Sequence, residues 1–314
     1  MVKLRQAQYC NLKLFLIFLV IYGHLIEPRI WESDILMVQY KWIYCIHMPL
    51  FCFLSGLFIH RKEDCKVQLF RTFPLYILLQ AAAVIFGNGT AKPFTPWWHL
   101  WYLLSYCTWL CMAWLWFRFG NGKCRFLILL FSILAGCIAG LIPCIGRAFS
   151  LSRTLVFFPY FWAGVILNPS FNWKKLRLAG VLAFIAAFII MVYIDDAIPV
   201  TFLYQAAPYE SGQGTLLRLI CYLLAGSLGL FLLTNIPARR FPFSKMGANT
   251  MLAYLLHAPI VLYLRKLDIP WQFHILLAVT FLYTVHLLTK WHGTIYGIIP
   301  KKRRNTGGEL SKHL

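Results

Sequence analysis

Three histidines sit in stretches that are otherwise apolar, where an imidazole could take part in proton chemistry. His24 closes NLKLFLIFLVIYGH, residues 11–24. His47 lies in IYCIHMPLFCFLSGLF, residues 43–58, and His257 in GANTMLAYLLHAPI, residues 247–260. Neutral imidazole exchanges protons near pH 7, and inside a bilayer it is costly unless it finds a partner or lines a polar cavity. His274 and His286 also fall in apolar runs. A membrane histidine is more commonly a packing residue than a catalyst, so context must separate the cases. Lys13 and His24 are eleven residues apart. On an α-helix that is about three turns, so both point along one face, about 16 Å apart along the axis. Glu27 follows His24 at i+3, where a carboxylate can orient the ring. His47 opens the next apolar run from the same side, which brings two imidazoles to a similar depth. Pro49, two places on, is a helix breaker inside the same apolar run.

The elements that must position these residues are membrane helices. Hydrophobic residues make up 60% of the 314-residue chain and charged residues 13%, against about 25% charged in soluble domains. The apolar runs lack period-2 alternation, which favours helices over a barrel. Ten spans are expected, at about 10–26, 42–59, 68–86, 98–117, 126–145, 153–168, 177–194, 214–234, 249–264 and 273–291. The fold class is therefore an all-α polytopic membrane protein. Pro159 and Pro259 mark spans six and nine as candidates for bending. Gly87-Asn88-Gly89, Lys92-Pro93, Gly120-Asn121-Gly122 and Asn168-Pro169 punctuate the linkers. Residues 1–300 form the transmembrane domain and residues 301–314 a basic tail, expected to be disordered. The first apolar run has no small-residue cleavage site after it and reads as a retained helix.

The net charge of +20 suggests nucleic acid until its distribution is read. Walking the loops, 22 of the 30 Lys and Arg residues fall on one side and eight on the other, in strict alternation. That is the positive-inside pattern. It puts both termini in the cytoplasm, as an even span count requires, and accounts for the charge without nucleic acid. The ten Asp and Glu residues all lie outside the spans, Glu27 in an outer loop among them. Ion-coupled carriers usually keep carboxylates at mid-membrane, so this argues against a carrier. Cys107 and Cys111 share a helix face, but two ligands do not make a structural zinc site. No metal site and no disulfide framework are expected.

Six blocks in order then resemble the membrane-bound acyltransferase-3 family, integral membrane O-acetyltransferases of surface glycans that include fucose 4-O-acetylase-like members. KLFLIFLVIYGH resembles the family's basic residue, ten residues, histidine signature. IHMPLFCFLSGLF resembles its second-helix signature, with Ser55-Gly56 in place. RTFPLY at 71–76, HLWYLLSY at 99–106, FFPYFWAGVIL at 157–167 and GANTMLAYLLHAPI at 247–260 resemble later blocks. Lys13 stands where arginine is common, which keeps charge but loses the bidentate fork. Gln68 stands where a second arginine often precedes Arg71.

The resemblance implies catalysis by His24, as general base for a sugar hydroxyl, with His47 orienting substrate or the developing oxyanion. It implies an acyl-CoA donor, with acetyl-CoA expected, and no permanently bound cofactor. Lys13, Arg71 and Lys245 would meet the donor's phosphates from the cytoplasm, and Ser55, Asn249 and His257 complete the expected substrate- and donor-binding set. The acceptor would be a hydroxyl of a surface polysaccharide or glycolipid, reached from outside the cell's inner membrane. The rival reading is a carrier or flippase for a polar glycolipid, which needs cations and a cleft but no acyl-CoA site. The connection from Asp195 to Gly214 carries no Lys or Arg but has Tyr204, Tyr209 and three carboxylates, so it is expected outside and near the acceptor. A cysteine replacing Ser211 should react with an impermeant thiol reagent once the outer envelope is opened. Labelling only after the membrane is broken would invert the topology.

Overall fold

The computed structural model describes residues 2–86, 91–120, 124–210, 212–248 and 250–296. Asn249, Ser211, the glycine-asparagine linkers at 87–89 and 121–122, and the 301–314 tail lie outside the described residues. Ten long helices correspond one to one with the ten expected spans. They are α1 (Val2–Ile26), α2 (Asp34–Leu57), α3 (Lys62–Phe86), α4 (Trp101–Phe119), α5 (Arg125–Ala139), α6 (Leu151–Ile166), α7 (Arg177–Ile194), α9 (Gly214–Asn235), α10 (Thr250–Leu264) and α11 (His274–Tyr296). A single turn, α8 (Val200–Leu203), lies between α7 and α9. No strand occurs among the described residues, so the chain is an all-α polytopic membrane protein. Among the described residues, seven helices are long and apolar enough to cross a membrane, by length and composition, and α5 is a shorter apolar helix.

Several helices start earlier than hydropathy suggests. α2 begins at Asp34, eight residues before its apolar run, because Lys41 there is buried and paired with Asp195 (2.8 Å) at the end of α7. α3 begins at Lys62, where the Asp64 carboxylate accepts hydrogen bonds from the N–H groups of His60 and Arg61. Those are donors a helix start leaves unpaired. Arg71 is thus well inside α3 rather than at its start. α5 ends early because its last turn meets Tyr209, whose N–H donates to the Gly140 carbonyl. Pro159 and Pro259 lie inside continuous but short helices.

α2 is central, packing on α6, α1 and α9, while α4 lies on α6 and α3 on α4. α3 and α7 are mostly unburied, with Phe70, Leu78 and Ile85 exposed on the first, and Leu178, Phe188 and Val192 on the second. In a protein so apolar these are faces for lipid tails. The α2–α6 contact rests on two glycines. A Cβ on Gly56 would stand 1.9 Å from the Phe161 carbonyl oxygen, and one on Gly164 would stand 2.1 Å from the Phe53 carbonyl oxygen. Lipid offers little hydrophobic drive between helices, so close backbone approach at small residues is the main source of association. At the other end of α1, Gly247 abuts the Cys10 carbonyl in the same way, and Asn11 bonds Pro237, Arg239 and Ser244. Gly56→Val and Gly164→Val are each expected to lower stability in detergent by about 1–3 kcal/mol or more. Gly226→Ala, where a Cβ meets open space, should leave the thermal unfolding curve in place.

Candidate active site

The connections that charge counting places on the outer side meet around one cavity of about 540 Å³. His24 and Glu27 enter it from the end of α1 and the turn that follows. Tyr44 and His47 come from α2, and Lys92, Trp97, Trp98 and His99 from the approach to α4. Arg147, Ser150 and Arg153 come from the start of α6, Tyr204 from the turn after α8 and Tyr254 from α10. Cavities that hold small ligands run from roughly 300 to 1,000 Å³, so this one is of a size to hold a small ligand.

Part of this wall is irregular backbone, which is tolerated at membrane depth only when buried or lining a wet cavity. Gln80 secures the 91–97 stretch, donating to the Lys92 and Thr95 carbonyls (2.9 and 3.0 Å) and accepting from the Trp97 N–H (2.9 Å). Ser152 Oγ donates to the Gln205 carbonyl (2.9 Å) and Arg153 Nε to the Tyr204 carbonyl (2.8 Å). Trp98, Ser150 and Gln205 have φ of 37°, 58° and 57°. Left-handed backbone at such residues costs about 1–3 kcal/mol and persists where its surroundings over-determine it.

His24 is held by a chain of polar contacts. Its Nδ1 is 3.3 Å from Glu27 Oε2. A carboxylate only accepts, so Nδ1 carries the proton and the Nε2 lone pair is left for a substrate. Arg265 fixes both partners, donating from Nη2 to Glu27 Oε2 (2.5 Å) and from Nε to the His24 carbonyl (3.0 Å), with its guanidinium 5.2 Å from the Trp98 ring centre. Tyr204 donates to Glu27 Oε1 at 3.4 Å. Burial and the Glu27 charge push the Tyr204 phenol up from its ordinary pKa, so it remains a donor at neutral pH. His47 is 3% exposed, and its Nδ1 lies 2.6 Å from the Ile43 carbonyl, which again leaves Nε2 as the acceptor. The Tyr44 ring stands beside both imidazoles, at 6.3 Å from His24 and 4.8 Å from His47.

His24, His47 and His257 are thus brought together, and the other expected residues lie elsewhere. His257 is fully buried and stacks on His24 at 5.4 Å and 17°, with its Nδ1 at the Tyr254 carbonyl (2.5 Å). This puts His257 beside His24, at the cavity end of the bundle. Ser55 bonds the Phe51 carbonyl (2.8 Å) and the Tyr102 hydroxyl (2.5 Å), two turns along α2 from His47 and off the cavity wall. Lys13 sits on the His24 face of unbroken α1, its ammonium 4.7 Å over the Phe58 ring at the inner end of α2. Lys245 is exposed in the 3-10 segment that packs on the same end of α1. Arg71 is exposed on α3. Tyr204 lines the cavity as expected of its loop, whereas Tyr209 packs against Gly140 and Gly214.

Sequence reasoning did not single out His99, Tyr44, Trp98 or Tyr254, and it counted Arg153 and Arg265 only as topology signals. His99 lies 5.1 Å from His257, and neither of its ring nitrogens has a partner among the described residues. The pair Trp97-Trp98 directly before it was the available signal.

A family profile described as an acyltransferase domain, acyltransferase-3, matches residues 66–289. The chain belongs to the acyltransferase-3 family. It is accordingly a multi-pass membrane acyltransferase, which moves an acyl group from a donor to an acceptor within a lipid bilayer. No curated protein and no solved structure matches the chain. The matched stretch holds His99, Arg153, Tyr204, His257 and Arg265, and begins after Lys13, His24, His47 and Ser55. The case for those four stands on geometry. Glu27→Gln keeps the shape but no longer forces the proton onto Nδ1. It is expected to lower acyl transfer about 100-fold or more with donor affinity unchanged. Unaltered turnover in the purified variant would remove Glu27 from the site.

Proposed function

We propose that this acyltransferase moves an acyl group, acetyl from acetyl-CoA in the first instance, to a hydroxyl of a cell-surface glycan or its lipid-linked precursor at the inner membrane. The observation that carries the reading is the outer cavity in which His24 presents a free Nε2, backed by Glu27 and Arg265. A neutral imidazole placed this way takes a proton from a sugar hydroxyl as its oxygen attacks the thioester carbonyl. The carboxylate behind it stabilises the imidazolium that forms. The imidazolium then returns the proton to the departing CoA thiolate, so the hydroxyl is acylated and free CoA leaves. His47 lines the same cavity and, through a bound water, orients the acceptor or the carbonyl oxygen.

The donor reaches this point from the cytoplasm, where both termini would lie. Lys13, Arg71 and Lys245 are the cations proposed to meet its phosphates. The thioester has to travel some 16 Å along the α1 face between Lys13 and His24, about the length a CoA arm is built to span. Ser55 and Tyr102 lie along that route on α2 and α4 and would line it. Trp97, Trp98 and Trp101 give the acceptor flat apolar faces.

His24→Ala and Arg71→Ala separate the two halves of the reaction. His24→Ala is expected to abolish glycan acylation, read by mass spectrometry of the host's surface glycans, while membrane expression and donor affinity persist. Arg71→Ala is expected to weaken donor affinity about tenfold and to leave acceptor binding unchanged. Full acylation in a well-expressed His24→Ala strain would remove His24 as the base.

A further inference from the structure

The charge around the outer cavity is unbalanced. Lys92, Arg147 and Arg153 line it, against a single carboxylate, Glu27. Glu27 is already occupied by Arg265 and His24. The other paired carboxylates on this side go to other cations, Asp195 to Lys41, and Glu32 and Asp268 to Arg29. Among the described residues no carboxylate pairs with Lys92, Arg147 or Arg153. Arg147 moreover bears on Arg153 as a like charge.

Arg153 is held in a way that points to a ligand. Its Nε is used by the Tyr204 carbonyl (2.8 Å), and its guanidinium stacks 4.9 Å over Trp101. The plane of the fork is thereby fixed, and its Nη groups have no partner among the described residues. A fixed fork with free Nη groups matches the two oxygens of a carboxylate or phosphate. Arrangements of one charge sign in a low-dielectric cleft raise the local concentration of the opposite ion. Three cations gathered beside apolar rings, around one carboxylate already paired with Arg265 and His24, are best explained by an anion that arrives with the substrate.

We propose that the acceptor is an anionic saccharide, one that carries a carboxylate or a phosphate close to the hydroxyl that is acylated. Arg153 and Arg147 take the anion, the Trp97–Trp101 stretch takes the faces of the ring, and His24 Nε2 is left to meet the hydroxyl. This rests on the reading of the outer cavity as the acceptor site.

The full chain in lipid nanodiscs, without donor, allows the test through its tryptophan fluorescence. The probes are an oligogalacturonate, its neutral methyl ester, a hexose 1-phosphate and the corresponding neutral hexose. One of the two anions is expected to bind at least tenfold more tightly than its neutral counterpart, and which one does so identifies the charged group. The preference should shrink as sodium chloride is raised and disappear in Arg147→Gln, an exposed position whose side chain holds no other element in place. Arg153→Lys, which keeps the charge but loses the fork, should weaken the anion and leave the neutral sugar unchanged. Equal binding of charged and neutral sugars overturns the proposal, as does a preference that survives Arg147→Gln and Arg153→Gln together. Displacement of the anionic sugar by adenosine 3′,5′-bisphosphate also overturns it, since the cations would then serve the donor. Consumption of acyl-CoA in the same preparation is read separately. Thioester transfer without any charge preference sinks this proposal alone, whereas a charge preference with no thioester chemistry sinks the acyl-transfer reading alone.

Discussion

Arg265 is the residue on which the outer end of this bundle depends. It reaches back across 238 residues of sequence to the Glu27 carboxylate and also bonds the His24 carbonyl. Without that clamp, Glu27 would be a carboxylate facing three cations in a cleft, and the His24 ring would have no fixed tautomer. With it, one helix end, one carboxylate and one imidazole become a unit of defined proton placement. Trp98, against which Arg265 stacks, in turn lies 4.7 Å from the His24 ring. The clamp therefore also positions the first aromatic wall of the cavity.

The second constraint is the lipid. Polar groups at membrane depth must find partners or water, and the chain meets this by concentrating them at two levels. At the inner end of α1, Gln8 bonds the Leu233 carbonyl and Asn11 bonds Pro237 and Ser244, with Gly247 pressed against Cys10. At the outer end are the histidines, Glu27 and the tyrosines. Near its inner end, α2 crosses α6 at Gly56 and Gly164 with backbones almost touching.

Much of the fold was legible because membrane helices write themselves as apolar runs. All ten expected spans have a helix at their centre. Their ends were less so. The first turns of α2 and α3 are polar, and what makes them helical is the Lys41–Asp195 pair and the Asp64 cap, neither of which hydropathy registers. The site was legible where it is local. Glu27 lies at i+3 from His24 and Lys13 lies three turns below it, both readable from helical geometry. His47 required two helices to be set at one depth, which loop alternation supplies. Arg265 was not legible, because it acts from beyond residue 200 on groups near residue 24, and Tyr204 was legible as part of an acceptor-side loop but not as a donor to Glu27. His257 was singled out for the substrate- and donor-binding set, but its contact with His24 was not foreseen. A histidine within an apolar run carries no sign of depth, and its stacking on His24 is a property of how α1 and α10 pack. His99 was passed over because it begins its span, where a polar residue is unremarked.

In the proposed function, donor and acceptor meet from opposite sides of the bilayer, at His24. The most direct measurement is acyl transfer in proteoliposomes whose protein is held in one orientation, with acyl-CoA and an acceptor sugar confined to chosen sides. Product should appear only when acyl-CoA bathes the face rich in Lys and Arg and the sugar bathes the cavity face. Equal transfer with both substrates on the cavity face, and none across the membrane, would contradict it.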